Sequence, residues 1–139
     1  MDEFKISLFE REHELSFPKY KTLSNIETQK LVDNLTEKYS INTSNLVLAL
    51  ASKQIFYDET NGLEGFELKK ILANLGIKSS REIFINFYKF EKIDVLNIDD
   101  LDKYFYDIWF PSSDDIDLFD ESLDWILSIR HDGCISFVL

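Results

Sequence analysis

The sequence predicts an α+β domain in which helices, mainly in the N-terminal half, pack on a small antiparallel sheet ending in a C-terminal β-hairpin. Three observations carry this expectation. Ser24 and Glu27 have capping-box spacing ahead of a helical apolar stripe, residues 83–90 form an almost continuous apolar and aromatic run, and two alternating runs, 125–130 and 135–139, flank His131-Asp132-Gly133. With 139 residues, 45% of them hydrophobic and 14% aromatic, the chain has the composition of one folded domain spanning 1–139, without need of disulfides.

In chain order, Phe4, Ile6 and Leu8 alternate as in a strand, and Pro18 breaks any continuing structure. Leu31, Val32, Leu35 and Tyr39 then share one face of a helix over Asn25 to Tyr39. Thr43 or Ser44 is placed to cap a second helix over 46–56, although the unbroken run 46–51 also suits a buried strand. Residues 57–65 read as a loop around Asn61-Gly62. Phe66, Leu68, Ile71, Leu72 and Leu75 give a short helix closed by Gly76, where a glycine tolerates the left-handed conformation.

The run 83–90 presents apolar residues on both sides, as a strand buried on both faces of a sheet does. Asn97 is placed to cap a helix burying Ile98, Leu101, Phe105 and Ile108, with Asp99, Asp100 and Asp102 near the positive end of its dipole. Pro111 ends that segment, and Ser112-Ser113-Asp114-Asp115 reads as a turn or a new cap before the terminal hairpin.

Charge is the most uneven property of the chain. Of its net −11, −10 lies between Asp94 and Asp124, where eleven carboxylates face the single cation Lys103. The same stretch is rich in Leu, Ile, Phe, Tyr and Trp, so it is expected to fold with its carboxylates outward, unlike an acidic tail. A concentrated field of one sign steers partners of the opposite sign, and aromatic anchors ringed by charge suit a tight interface. The predicted partner-binding residues are therefore Asp99, Asp100, Asp102, Tyr106, Asp107, Trp109, Phe110, Asp114, Asp115, Asp117, Asp120 and Glu121. Plain solubility is the competing explanation of the acidity, and the interleaved rings are equally suited to a core.

Other chemistries find little material. His131 and Cys134 flank the hairpin turn with Asp132 between them, and a small enzyme using His131 and Cys134 is one alternative, but no family-type sequence surrounds the cysteine. The clustered Asp114, Asp115, Asp117, Asp120 and Glu121 lack the glycine and the alternation of an EF-hand, so no metal is expected. None of the four glycines forms a phosphate loop, no cofactor is implied, and a pI near 4.5 disfavours direct nucleic-acid binding. A single cysteine fits a reducing cytoplasm, charges through the first fifteen residues do not suit a secretory leader, and the longest apolar run, Leu46 to Ala51, is far too short for a membrane span.

The segment Trp109-Phe110-Pro111-Ser112-Ser113-Asp114-Asp115-Ile116-Asp117, leading into a terminal hairpin of a small acidic domain without a catalytic set, resembles the small bacterial immunity proteins that accompany polymorphic toxins, including those of contact-dependent growth inhibition. The resemblance implies a cytoplasmic antidote that binds its cognate toxin domain, often a nuclease, and covers or distorts the active site. The alternative of a nucleic-acid mimic inhibiting a DNA- or RNA-binding protein requires carboxylates spaced like phosphates along one face. In the antidote reading the acid cluster docks on the partner, or the partner pairs with the terminal strand at 135–139 while the cluster orients it.

Overall fold

A computed structural model describes residues 1–41 and 46–139 and consists of a seven-stranded antiparallel sheet covered by helices on both faces. The α+β expectation holds, with a wider sheet than the sequence suggests. In chain order the elements are α1 (Glu3–His13), β1 (Tyr20–Thr22), α2 (Asn25–Tyr39), α3 (Leu46–Lys53), β2 (Ile55–Tyr57), α4 (Leu68–Asn74), β3 (Glu82–Tyr88), β4 (Lys92–Asn97), α5 (Ile98–Lys103), α6 (Phe105–Ile108), β5 (Ile116–Phe119), β6 (Ile126–Ile129) and β7 (Ile135–Val138). The sheet order is β1-β4-β3-β5-β6-β7-β2.

The segment expected to alternate as a strand is instead helix α1. Asp2 caps it by accepting the Phe4 N–H at 2.7 Å, and its buried residues Lys5 and Phe9 stand four positions apart, in step with the buried Met1 ahead of the cap. Lys5 breaks an apolar pattern read by residue type, which hides the helical period. Helix α2 occupies its predicted span, with the Ser24 and Glu27 side chains each accepting the other's backbone N–H at 3.1 Å. Lys21 joins this cap, and together with the Ser24 donors it pulls the exposed Glu27 carboxyl down to about 2.

The predicted helix over 46–56 stops at Lys53, because Ile55, Phe56 and Tyr57 pair with Phe137, Ser136 and Ile135 as strand β2. Thr43 and Ser44 lie outside the described residues. Helix α4 closes at Gly76, whose φ of +71° is the left-handed conformation expected of it. Asn97 caps α5 as predicted, but the helix breaks at Tyr104 and restarts as α6. The terminal hairpin forms with β6 against β7, and Gly133 turns it at a φ of +86°.

Strands β4 and β5 were not expected. Each carries a buried aspartate, Asp94 and Asp117, that interrupts the apolar signature of a core strand. They flank β3, which is buried on both faces as predicted. One face presents Ile83, Ile85, Leu96, Ile116, Leu118, Leu127, Ile129 and Ile135 to a core shared with Met1, Leu68, Ile71, Leu101, Phe105, Ile108 and Trp109, so α1, α4, α5 and α6 cover it. The other presents Ile93, Phe119, Ile126 and Val138 to Leu31, Leu35, Leu46 and Leu50 of α2 and α3. No helix among the described residues is long and apolar enough to cross a membrane.

Candidate functional site

The acid-rich segment does not form one outward-facing surface, because most of its carboxylates are bound to donors within the protein. Asp94 lies on β4, facing the α1 side, where it pairs with the Met1 ammonium at 2.6 Å and accepts the Thr22 hydroxyl at 2.6 Å. Both groups of the pair are essentially without solvent contact. Asp114 accepts Lys5 Nζ and the Phe110 N–H, the latter at 2.7 Å. Lys5 in turn donates to the Ile108 carbonyl and sits over the rings of Phe87 and Phe110, 4.9 and 4.5 Å from their centroids. Neither the N-terminal ammonium nor Lys5 is near the acidic cluster in sequence, so no local pattern announces the pairing.

Asp117 is 7% exposed and occupies the opposite sheet face. Its Oδ1 accepts the Ser128 hydroxyl and Arg130 Nη2, the latter at 3.1 Å, and its Oδ2 accepts Asn86 Nδ2 at 2.9 Å. The register makes these groups neighbours: Asn86, Asp117, Ser128 and Ser136 stand in one row across β3, β5, β6 and β7. Gln54, just before β2, extends the row by donating to Ser128 and accepting from Ser136 at 3.0 Å. A buried polar row of this kind is stable only when its members are mutually satisfied, and here no buried side-chain polar atom among the described residues lacks a partner.

Asp120, 2% exposed, accepts the Ser80 and Ser122 N–H groups at 2.9 and 3.0 Å, the Ser122 hydroxyl, and Trp125 Nε1 at 3.0 Å. Burial alone raises its carboxyl pKa, but the Ser122, Ser80 and Trp125 donors outweigh it and hold the group below the ordinary carboxylate range. A folded-state pKa below the unfolded value of about 3.9 means that the unfolded chain binds more protons in acid. The stabilisation is therefore complete above about pH 4–5 and is lost as pH falls through the folded value. Asp120→Asn is expected to cost about 1–2 kcal/mol at neutral pH and to flatten the acid limb of stability. Thermal midpoints between about pH 2 and 7 check this, and a profile running parallel to that of the unaltered protein rejects it.

The remaining members sit nearer the surface. Asp107 bonds His13 at 3.0 Å, Asp115 bonds His131 at 3.0 Å, and Asp124 pairs with Lys38. Asp99 pairs with Lys69, whose hydrogen bond and charge lower the Asp99 pKa while that of Lys69 rises. Asp102 accepts the Lys69 N–H at 3.2 Å. Of the eleven, Asp100 and Glu121 alone lack such a partner among the described residues.

These positions correct the predicted interface at several points. Trp109 is fully buried, stacked on Phe105 at 5.4 Å, with its Nε1 donating to the Asp114 carbonyl at 2.9 Å, and is core rather than anchor. Asp117 and Asp120 are likewise interior, and Asp114 is largely taken by Lys5. The terminal strand is not an edge, because β2 pairs with β7 on its outer side. Asp99, Asp100, Asp102, Tyr106, Asp107 and Phe110 stay together on α5, α6 and the residues just beyond, while Asp115 and Glu121 are exposed in separate loops.

The helical layer over the α1 side of the sheet keeps an acidic excess after this pairing. Residues 1–14, 64–74 and 97–109, which carry α1, α4, α5 and α6, hold eleven acids against five bases. Residues 24–41 and 46–53, which carry α2 and α3, hold three of each. Phe4 is 65% exposed on α1 and meets Phe110 edge-on at 6.5 Å, and Tyr106 is exposed on α6 while its hydroxyl accepts the Phe66 N–H at 2.9 Å.

At the hairpin turn, His131 bonds Asp115, and Asp132 accepts the Cys134 N–H at 3.0 Å, so the two side chains are engaged separately. Partial desolvation and the nearby Asp132 charge push the exposed Cys134 thiol upward, whereas a nucleophilic cysteine needs the opposite shift. Among the described residues no three His, Cys, Asp or Glu side chains converge as a metal site. Comparison with protein-family models, with curated proteins and with solved structures finds no match for this chain.

Proposed function

We propose that this protein is an immunity-type antidote that binds a basic toxin domain, by its charge a nuclease, through the α1–α5–α6 layer rather than through the whole acid-rich segment. The observation supporting this reading is the acidic excess that survives internal pairing on that layer, set beside the neutral α2–α3 layer. A nuclease presents Lys and Arg to phosphates, and an acidic helical face competes for the same ground. Phe4, Tyr106 and Phe110 supply apolar contact on or beside these helices, and the unpartnered Asp100 supplies charge not already committed within the fold. Encounter is electrostatic, so association slows with ionic strength, while the aromatic contacts govern dissociation.

The test is the binding of the toxin domain encoded beside this chain, followed by kinetics at low and high salt. Reversing Asp100, Glu12 and Glu14 to Lys, whose carboxylates accept no hydrogen bond among the described residues, is expected to slow association about tenfold or more, with the thermal midpoint changed by no more than a few degrees. Reversing Asp124, which lies outside this layer, is expected to leave the rate within about twofold. Equal rates for the two variants would show that this face plays no part in docking.

A further inference from the structure

The two edges of the sheet are built differently. β1 is preceded by Pro18, which has no N–H to offer, and Lys19 and Lys21 flank its tip, the features that keep an edge strand from pairing with another chain. β2, at the other edge, has neither. Its Ile55 and Phe56 are 60% and 63% exposed and project to opposite faces of the sheet, so both sides of the open edge are apolar. Val47 and Leu48 on α3, the helix leading into β2, are exposed as well. Across 46–57 the only charged residue is Lys53.

We propose that β2 is a self-association edge at which two copies of this chain pair antiparallel across a twofold axis, joining their sheets. Charge selects this occupant and this place. Two chains of net −11 repel at most orientations, and the acidic α1–α5–α6 layer is the worst place for them to meet. The β2 and α3 flank carries one charge, Lys53, over 46–57, with Asp58 and Glu59 just beyond β2, and exposed apolar side chains gather there. A twofold contact is self-complementary, so the same edge serves both partners: antiparallel strands centred on Phe56 place it opposite its counterpart and bring each Ile55 against the other copy's Tyr57. Three strand residues and part of one helix make a small contact, below the roughly 1,200 Å² of standard interfaces, so the dimer dissociates on dilution.

This inference is independent of the antidote reading, and salt separates the two. Screening weakens binding of a basic toxin domain but relieves the repulsion between two acidic copies, so dimerisation is strengthened by salt. The experiment is sedimentation velocity of the full chain over about a hundredfold concentration range, at low and high salt. The expected result is a mass rising from 16.4 kDa towards twice that value, earlier at high salt. Phe56→Lys and Ile55→Lys, each at an exposed position, should remain monomeric throughout with unchanged thermal midpoints, while Tyr20→Lys on β1 should dimerise as the unaltered chain does. A mass of 16.4 kDa under every condition, or dimerisation undiminished in both β2 variants, would overturn the proposal.

Discussion

Replacing Trp109 by alanine is expected to lower the unfolding free energy by about 3–5 kcal/mol, the cost of emptying a fully buried indole site. In a domain of this size that displaces the thermal midpoint by roughly 10–20 °C. The loss has two parts. The indole ring fills the core between Phe105 and the sheet, and its Nε1 holds the Asp114 carbonyl, which steadies the turn that also places the Asp114 side chain against Lys5. Trp109→Phe keeps most of the volume and loses the hydrogen bond, so it should cost about 1–2 kcal/mol. The measurement is thermal or urea unfolding of both variants. If Trp109→Ala melted with the unaltered protein and lost only affinity for a partner, Trp109 would be an anchor and its burial irrelevant to stability.

The elements legible in the sequence are those whose signals are local. The Ser24 and Glu27 capping box, the Asn97 cap, the Gly76 stop and the terminal hairpin each depend on residues within a few positions of one another, and each forms where expected. What escaped was long-range. Helix α1 hides its period behind Lys5, a lysine that is buried only because Asp114 and the Ile108 carbonyl, more than a hundred residues away, receive it. β4 and β5 hide behind Asp94 and Asp117, whose partners Met1, Thr22, Asn86 and Arg130 come from other elements. The charge excess between Asp94 and Asp124 was real as composition, but composition does not say which carboxylates water solvates. Six of the twelve predicted interface residues remain grouped on α5, α6 and the residues just beyond, and that portion, with α1, carries the functional proposal.

Replacing Asp117 by alanine should cost about 2–4 kcal/mol, since it breaks an ion pair and strips acceptors from two buried donors at once. The range is held below that of a fully buried pair because Arg130 keeps some contact with water and can be re-solvated. Ser128, with no exposure, has no such escape. The damage should also spread in a defined direction. Asn86 Oδ1 accepts the Phe90 N–H at 2.8 Å, holding the β3–β4 turn in which Lys89 and Phe90 adopt left-handed φ values of 49° and 58° that non-glycine residues rarely take. With Asp117 gone, Asn86 loses its bond to that carboxylate, and the Phe90 amide should exchange hydrogen faster than in the unaltered protein. Asp117→Asn tests orientation against charge: it keeps the shape but sets an amide N–H₂ or carbonyl where two acceptors served three donors, and should cost about 1–2 kcal/mol. Urea unfolding gives the energies and hydrogen exchange gives the direction. Wild-type stability in Asp117→Ala, with Phe90 still protected, would mean that the polar row contributes nothing to holding the two strands together.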